Sequence, residues 1–230
     1  MKPKPDTAPF IAETHRSGLA NFLRNHPHKG GIIVHPERQF IYMKAAKTAG
    51  TSLFRSVLEP MIGGFTHQKA DPDRFAKIMS GLTDEKLEKF FIFAVVRDPL
   101  DRFISMSTYL DGDIESFLKD FDKHNEDENT FYHTRPLALY THLDGRPFVD
   151  AICQAETLQE HMNAVFDYLD LPRWSIPRKN RTKTRNRHTK LNPYQAAEVK
   201  ELYAQDMALY GYDGNAFVDR QERRKTKWSN

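Results

Sequence analysis

The feature that most constrains the fold is an uninterrupted apolar run at residues 90–96. A run without polar alternation is typical of a strand buried on both faces, as in a parallel sheet covered by helices. Arg97, Asp98 and Pro99 follow directly, and Asp98 suits a helix N-cap while Pro99 suits the first helical position. The sequence therefore predicts a strand, a short turn and a helix, with Arg97 at the carboxyl end of the strand.

A second strand–loop–helix unit lies nearer the N-terminus. Residues 32–34 and 40–43 are apolar runs on either side of a short polar turn, which predicts a hairpin or two neighbouring strands. An amphipathic helix is expected after Gly50, because apolar residues recur on one helical face from residue 53 to 61. Between strand and helix stand Lys47, Thr48, Ala49, Gly50, Thr51 and Ser52.

A loop that leads from a strand to a helix N-terminus can bind an anion, since free backbone N–H groups and the helix dipole point at the ligand. Lys47 would add a full charge, Gly50 would allow close approach of the backbone, and Thr51 and Ser52 would add hydroxyl donors. The loop is not a Walker A motif, because no lysine follows Gly50. The alternative is a capped helix start with a lysine that binds nothing.

The turn after residue 96 carries a second basic group. Counting from an N-cap at Asp98, Ser105 falls two turns into the helix, on the same face as Arg102. The Arg97 guanidinium and the Ser105 hydroxyl could then hold one phosphate from two sides. The alternative is that Arg97 pairs with Asp98 or Asp101.

The charge of the chain is unevenly distributed around a net value of +3. Residues 173–190 carry eight bases and no acid, which favours an anionic partner there or a solvated basic loop. The single cysteine, Cys153, excludes an internal disulfide framework and makes a cytoplasmic location the default expectation. No apolar run approaches the length of a membrane-spanning helix, and no secretory signal is recognisable.

The expected organisation is one α/β domain with short flanking segments. We expect an irregular arm at residues 1–28, the domain at residues 29–215 and a charged tail at residues 216–230. A further strand is expected within residues 148–154, and a capping box beginning at Thr157 is expected to open the next helix. One long last helix is expected from Asn192-Pro193 to Gly211; no internal repeat is recognisable.

Taken together, the two basic loops resemble those of the PAPS-dependent sulfotransferases. In that family a Lys-Thr/Ser-x-Gly-Thr-Ser-type loop holds the 5′-phosphosulfate, and an Arg-Asp/Asn-Pro-x-x-Arg-x-x-Ser stretch holds the 3′-phosphate. Arg97 stands 50 residues after Lys47, and the spacing from Arg97 to Ser105 matches the family pattern. Residues 148–158 and 203–212 are similar to later segments of the carbohydrate sulfotransferase branch, so the resemblance covers roughly residues 30–215.

The resemblance implies a P-loop NTPase-like fold with a central, mostly parallel β-sheet flanked by helices. It implies transfer of a sulfuryl group from 3′-phosphoadenosine-5′-phosphosulfate (PAPS) to a hydroxyl or amine of an acceptor, a carbohydrate or glycoconjugate. The transfer is in line, leaves adenosine 3′,5′-bisphosphate and requires no metal.

The resemblance also assigns roles to residues. Residues 47–52, Arg97 and Ser105 would bind the donor, and Lys47 would also be catalytic, since its ammonium could meet the bridging oxygen of the leaving phosphate. Arg181 and Lys183 would close over the 3′-phosphate. His67 is the first candidate for the base that takes the acceptor proton and His133 is the second; failing both, a carboxylate such as Asp71 or Glu156 would serve.

Two other functions remain open at this point. A P-loop-like nucleotide kinase would show Mg²⁺-dependent ATP hydrolysis and would not bind adenosine 3′,5′-bisphosphate without metal. A binder of nucleic acid or another polyanion would show a steep salt dependence and no response to PAPS. We expect no nucleic-acid partner, because the bases cluster in loops and no nucleic-acid-binding motif is recognisable.

Overall fold

The computed structural model describes residues 8–110, 113–127, 130–177 and 190–212. Its strands are β1 (Ile32–His35), β2 (Phe40–Met43), β3 (Phe91–Val96), β4 (His142–Leu143), β5 (Arg146–Pro147) and β6 (Ala151–Gln154). Its α-helices are α1 (Leu19–Arg24), α2 (Glu59–Ile62), α3 (Pro72–Gly81), α4 (Asp84–Leu87), α5 (Pro99–Leu110), α6 (Ile114–Lys119), α7 (Phe121–Glu126), α8 (Phe131–Thr134), α9 (Leu158–Tyr168), α10 (Pro193–Leu202) and α11 (Ala204–Tyr210). A π-helix, Thr51–Leu58, runs directly into α2, and short 3-10 turns form at Lys29–Gly31, Leu137–Tyr140 and Ala155–Thr157.

The central sheet has four strands in the order β1-β2-β3-β6. β1 pairs antiparallel with β2, which confirms the predicted hairpin, while β2, β3 and β6 run parallel to one another. The carboxyl ends of the three parallel strands therefore lie at one edge of the sheet. Both basic loops begin at this edge, where open α/β sheets place their ligands. The predicted fold class, a mostly parallel sheet flanked by helices, is confirmed.

Alternate residues of the strands enter two separate apolar cores, because successive side chains of a strand point to opposite faces. In β3, Ile92 and Ala94 pack on one face with α1 and α3, while Phe91 and Phe93 pack on the other with the π-helix and α9. A third core lies between α5, α6 and α10. Every residue of β3 is buried, as the apolar run predicted.

Residues 8–28 depart from the irregular arm that we expected. They contain α1, whose Leu19 and Leu23 are completely buried in the core. Phe10 bridges to Ala151 at the edge strand of the sheet. The expectation was wrong for α1 because six residues are too few for a clear helical period, so the core contacts that hold it cannot be read from the local sequence.

The later helices agree with the sequence in part. Asn192 forms a capping box with Gln195, and Gly211 ends the last helix at a φ of 65°. The predicted single long helix is instead two helices that meet at Tyr203. The predicted capping box at Thr157 is also wrong, since the Thr157 side chain makes no capping hydrogen bond to the described backbone.

None of the described helices combines the length and apolar character required to cross a membrane.

Candidate functional site

The loop that follows β2 has an unusual backbone. Lys47 and Ala49 have φ values of 63° and 64°, which side chains other than glycine rarely adopt. Positive and negative φ alternate from Lys47 to Gly50, an arrangement that turns successive N–H groups into a concave anion site. The buried Thr48 hydroxyl donates to the Ala45 carbonyl at 3.0 Å and stabilises the turn. Strain of this kind is typical of functional sites.

Gly50 lies close to a neighbouring side chain. Its φ of −56° is ordinary helical backbone, so the unusual conformations fall on its neighbours instead. A Cβ on Gly50 would lie 2.8 Å from both Cγ and Cε of Lys44, so a larger residue would force the Lys44 side chain to move. Glycine at this position therefore leaves room for the Lys44 side chain to pass across it.

The helix that receives the loop begins with π geometry. Thr51–Leu58 form the π-helix, with Thr51 exposed and Ser52 buried at its first turn. Leu53, Phe54 and other apolar residues of this helix enter the core, as the sequence predicted. π-Helices are rare and are frequently found at functional sites.

Arg97 links the two basic loops. Its Nη1 donates to the Lys47 carbonyl at 3.2 Å, so the ends of β2 and β3 are joined directly. Its Nη2 lies 4.0 Å from Asp101, at the outer limit of an ion pair between partly exposed groups. The ion pair between Arg97 and Asp101, which was the alternative expectation, therefore forms only at this long distance and contributes little. Asp98 accepts from the Leu100 N–H at 2.8 Å, which confirms it as the cap of α5.

Arg102 and Ser105 lie further along α5. The Arg102 side chain is buried and donates to three backbone carbonyls, those of Ala46, His133 and Arg135. Arg102 therefore fixes the start of the loop through its hydrogen bond to the Ala46 carbonyl. Ser105 is half-buried on the same helix, one turn after Arg102.

The Lys47 ammonium is half-buried beside an aromatic ring. Nζ lies 4.2 Å from the centroid of the Tyr109 ring. Burial lowers the pKa of Lys47, and the nearby Arg97 lowers it further. In the described part of the chain, no carboxylate forms an ion pair with this ammonium. An anionic ligand at this position would relieve the electrostatic cost of both cations.

The two candidate histidines have different surroundings. His67 is half-buried beside Phe54, and burial followed by the charge of Lys44 lowers its pKa. His133 is 5% exposed, and burial lowers its pKa to about 4. Its Nδ1 is buried without a hydrogen-bond partner among the described atoms. His133 lies near the loop, because its ring is 5.2 Å from that of Tyr109, which contacts Lys47. The charge of Lys47 also lowers the pKa of His133.

Lys44 is a residue that the sequence reading missed. Its half-buried side chain lies against Gly50, and its pKa is lowered by burial and by the nearby Arg55 and Lys69. Lys44, Arg55 and Lys69 also lower the pKa of His67, and the Glu59 carboxylate opposes them in part. A lysine directly after a buried strand was the signal that could have revealed it.

The other residues that the sequence suggested are the two bases proposed to close over the 3′-phosphate and the two carboxylates considered as a general base. Arg181 and Lys183 lie outside the described residues. Glu156 accepts from the Asp98 N–H and the Tyr212 hydroxyl, each at 2.9 Å, and so connects the turn after β3 to the C-terminal segment. Asp71 caps α3 through the Arg74 N–H. Across the described ranges, no group of three or more His, Cys, Asp or Glu side chains could hold a metal ion.

The comparisons with known proteins bear on the whole domain. The family model described as "Sulfotransferase family" matches residues 30–213, which is most of the chain. A search of curated proteins and a search of solved structures each returned no match. The matched range contains both basic loops and every strand of the central sheet. The chain therefore belongs to the sulfotransferase family and is a sulfotransferase enzyme.

Proposed function

We propose that this sulfotransferase takes its sulfuryl group from PAPS and transfers it to a hydroxyl or amine of a carbohydrate or glycoconjugate. The observation that carries the proposal is the junction of Lys47 and Arg97 at the carboxyl edge of the sheet. The two cations lie where β2 and β3 end, and Lys47 has no carboxylate partner among the described residues. A ligand with phosphates at both 5′ and 3′ positions supplies the negative charge that this edge requires.

In the proposed reaction the acceptor oxygen attacks sulfur in line with the bond to the leaving 5′-phosphate. The new S–O bond forms as the bond to the bridging oxygen breaks, and both electrons of that bond stay on the phosphate. The Lys47 ammonium, the N–H groups of residues 48–52 and the hydroxyls of Thr51 and Ser52 stabilise this charge. Arg97 and Ser105 hold the 3′-phosphate, and Arg181 and Lys183 are proposed to close over it.

We propose that His67 is the general base that removes the proton from the acceptor. A general base must be neutral and within reach of the acceptor, and the low pKa of the half-buried His67 keeps it neutral at pH 7. His133 is also neutral, but its buried ring is less accessible to an acceptor. Donor binding adds negative charge beside Lys44 and His67, which raises the basicity of His67 when the proton must be taken.

A binding experiment tests the donor assignment. Thermal unfolding is followed with adenosine 3′,5′-bisphosphate in EDTA, and with ATP and Mg²⁺ as the matched control. A ligand at a hundred times its Kd stabilises a protein by about 2.7 kcal/mol, so a shift of several degrees is expected with the bisphosphate alone. A shift with MgATP and none with the bisphosphate would contradict the proposal and favour the kinase alternative.

The acceptor class is tested by transfer of radiolabelled sulfate from PAPS. The panel contains a carbohydrate polymer, a neutral oligosaccharide and a small phenol. We expect label on at least one carbohydrate and none on the phenol. Label on the phenol alone would contradict the carbohydrate assignment and would leave the donor assignment intact.

A further inference from the structure

Tyr109 is an exposed aromatic residue in contact with the loop that carries Lys47. It lies in the last turn of α5, and 63% of it is accessible to solvent. Its ring centroid is 4.2 Å from Nζ of Lys47, within the range of a cation–π contact. A side chain this exposed contributes little to the core, and the contact with the Lys47 ammonium is the feature that distinguishes it.

Three side chains of the segment from Arg97 to Tyr109 contact the Ala46–Lys47 region. Arg97 and Arg102 donate to the carbonyls of Lys47 and Ala46, and so they fix the backbone. Tyr109 instead contacts the ammonium itself. Arg102 and Tyr109 are seven residues apart in α5, which places both on one helix face. One face of α5 therefore contacts both the backbone at Ala46 and the side chain of Lys47.

The Tyr109 ring is supported from within the protein. Its centroid lies 5.2 Å from that of His133, and the His133 ring in turn lies 4.0 Å from Tyr132. His133 is buried, and its carbonyl accepts from Arg102 at 2.8 Å. The ring that faces Lys47 thus stands against a fixed neighbour, which limits the positions it can take.

We propose that Tyr109 is a positioning residue for sulfuryl transfer, holding the Lys47 ammonium at the donor's bridging oxygen. This inference rests on the proposed function. An aromatic face attracts an ammonium without neutralising its charge. A carboxylate in the same place would compete with the anionic donor for that charge, whereas the ring leaves it available to the leaving phosphate.

The test compares Tyr109→Leu with Tyr109→Phe, and uses Tyr194→Leu as the control. Tyr194 is 88% exposed on α10, so its replacement reports the general effect of losing a surface tyrosine. We expect Tyr109→Leu to lower kcat by about tenfold, since it removes the ring, and Tyr109→Phe to stay within about twofold. An equal loss in the phenylalanine and leucine variants would assign the effect to the hydroxyl and overturn the proposal.

A double-mutant cycle shows whether Tyr109 acts through Lys47. In a Lys47→Ala background the ammonium is gone, so Tyr109→Leu should cause no further loss of transfer rate. If the loss of rate in the double variant equals the product of the two single losses, the residues act independently and the proposal is overturned. Calorimetry with adenosine 3′,5′-bisphosphate separates the two levels of inference: no binding by the wild type contradicts the proposed donor, whereas normal binding with an unchanged Tyr109→Leu rate contradicts only the role of Tyr109.

Discussion

The two ends of the central sheet each contain a buried or half-buried basic residue, but the surroundings of the two residues differ. At the amino ends of β3 and β6, Arg16 is almost completely buried and its guanidinium lies 2.6 Å from the Asp150 carboxylate. Asp150 also accepts from the Ile92 N–H at 2.7 Å, so the pair is part of the sheet. At the carboxyl ends of β2 and β3, Lys47 is half-buried beside Arg97 and an aromatic ring.

The difference separates a cation with a structural role from one for which we propose a role in binding and catalysis. The charge of Arg16 is met by Asp150 and by the carbonyls of Phe148 and Phe90, so it ties residues 8–28 to the sheet. The charge of Lys47 has no such partner in the described part of the chain, while burial and the nearby Arg97 lower its pKa. A cation held at an electrostatic cost is ready to bind an anion.

The largest expected effect is on folding, at the amino end. Arg16→Met removes the guanidinium that balances the charge of the buried Asp150 carboxylate, which should lower the free energy of unfolding by about 3–5 kcal/mol. Chemical denaturation measures the loss. The double variant Arg16→Met/Asp150→Asn should recover part of it, because no lone charge then remains buried. A single variant as stable as the wild type would contradict the structural role of Arg16.

The corresponding substitution at the carboxyl end should affect activity instead. Lys47→Ala is expected to lower the rate of sulfuryl transfer by about 10²-fold or more, by analogy with loss of one oxyanion donor. The free energy of unfolding should change little, since the described structure gives this ammonium no ion pair to lose. Transfer assays and denaturation curves on one preparation measure both. Near-wild-type turnover would remove Lys47 from the mechanism.

The pH dependence of transfer tests His67. A base must be neutral, so activity should fall as pH drops through its pKa; because that pKa is lowered, the acid limb of kcat/KM should lie below 6.5. The limb of kcat should lie at higher pH, since the bound donor adds negative charge.

His67→Ala supplies the matched variant for this profile. We expect its rate at pH 7 to fall by about 10²-fold and its acid limb to disappear. A retained rate and limb in this variant, with both lost in His133→Ala, would transfer the role to His133. Retention in both variants would point to a carboxylate.

The smallest expected effect concerns Glu156, which connects the turn after β3 to Tyr212. Glutamine cannot accept from the Asp98 N–H and the Tyr212 hydroxyl through both of its terminal atoms. Glu156→Gln should therefore loosen the turn and raise the KM for PAPS by about fivefold, with a smaller change in kcat. Glu160→Gln, at an exposed position on α9, is the control. An unchanged KM in both variants would contradict the proposed effect of Glu156 on the turn after β3.

The sequence predicted the elements whose signals are local. The apolar run that forms β3, the cap at Asp98 and the C-terminal glycine of α11 each depend on a few adjacent residues, and all three are confirmed. The prediction paired Lys47 with Arg97 because each follows a predicted strand and because the two basic loops together resemble those of one family. The structure shows that junction as a direct hydrogen bond.

The features that were missed depend on contacts between distant segments. The last helix divides at Tyr203, whose hydroxyl donates to the Thr134 carbonyl at 2.7 Å and whose ring lies 5.7 Å from the Arg102 guanidinium. Gly50 makes room for the Lys44 side chain, and the Tyr109 ring lies beside the Lys47 ammonium. No local pattern records such pairs, so a single sequence could not predict them.

The central claim is that the carboxyl edge of the sheet binds a nucleotide through both its 5′ and its 3′ phosphate. Calorimetric titration with adenosine 3′,5′-bisphosphate and with 5′-AMP, on the wild type and on Arg97→Met, tests it most directly. We predict that the wild type binds the bisphosphate at least about tenfold more tightly than AMP, and that Arg97→Met loses most of this preference. Equal affinity of the wild type for the two nucleotides would contradict the account.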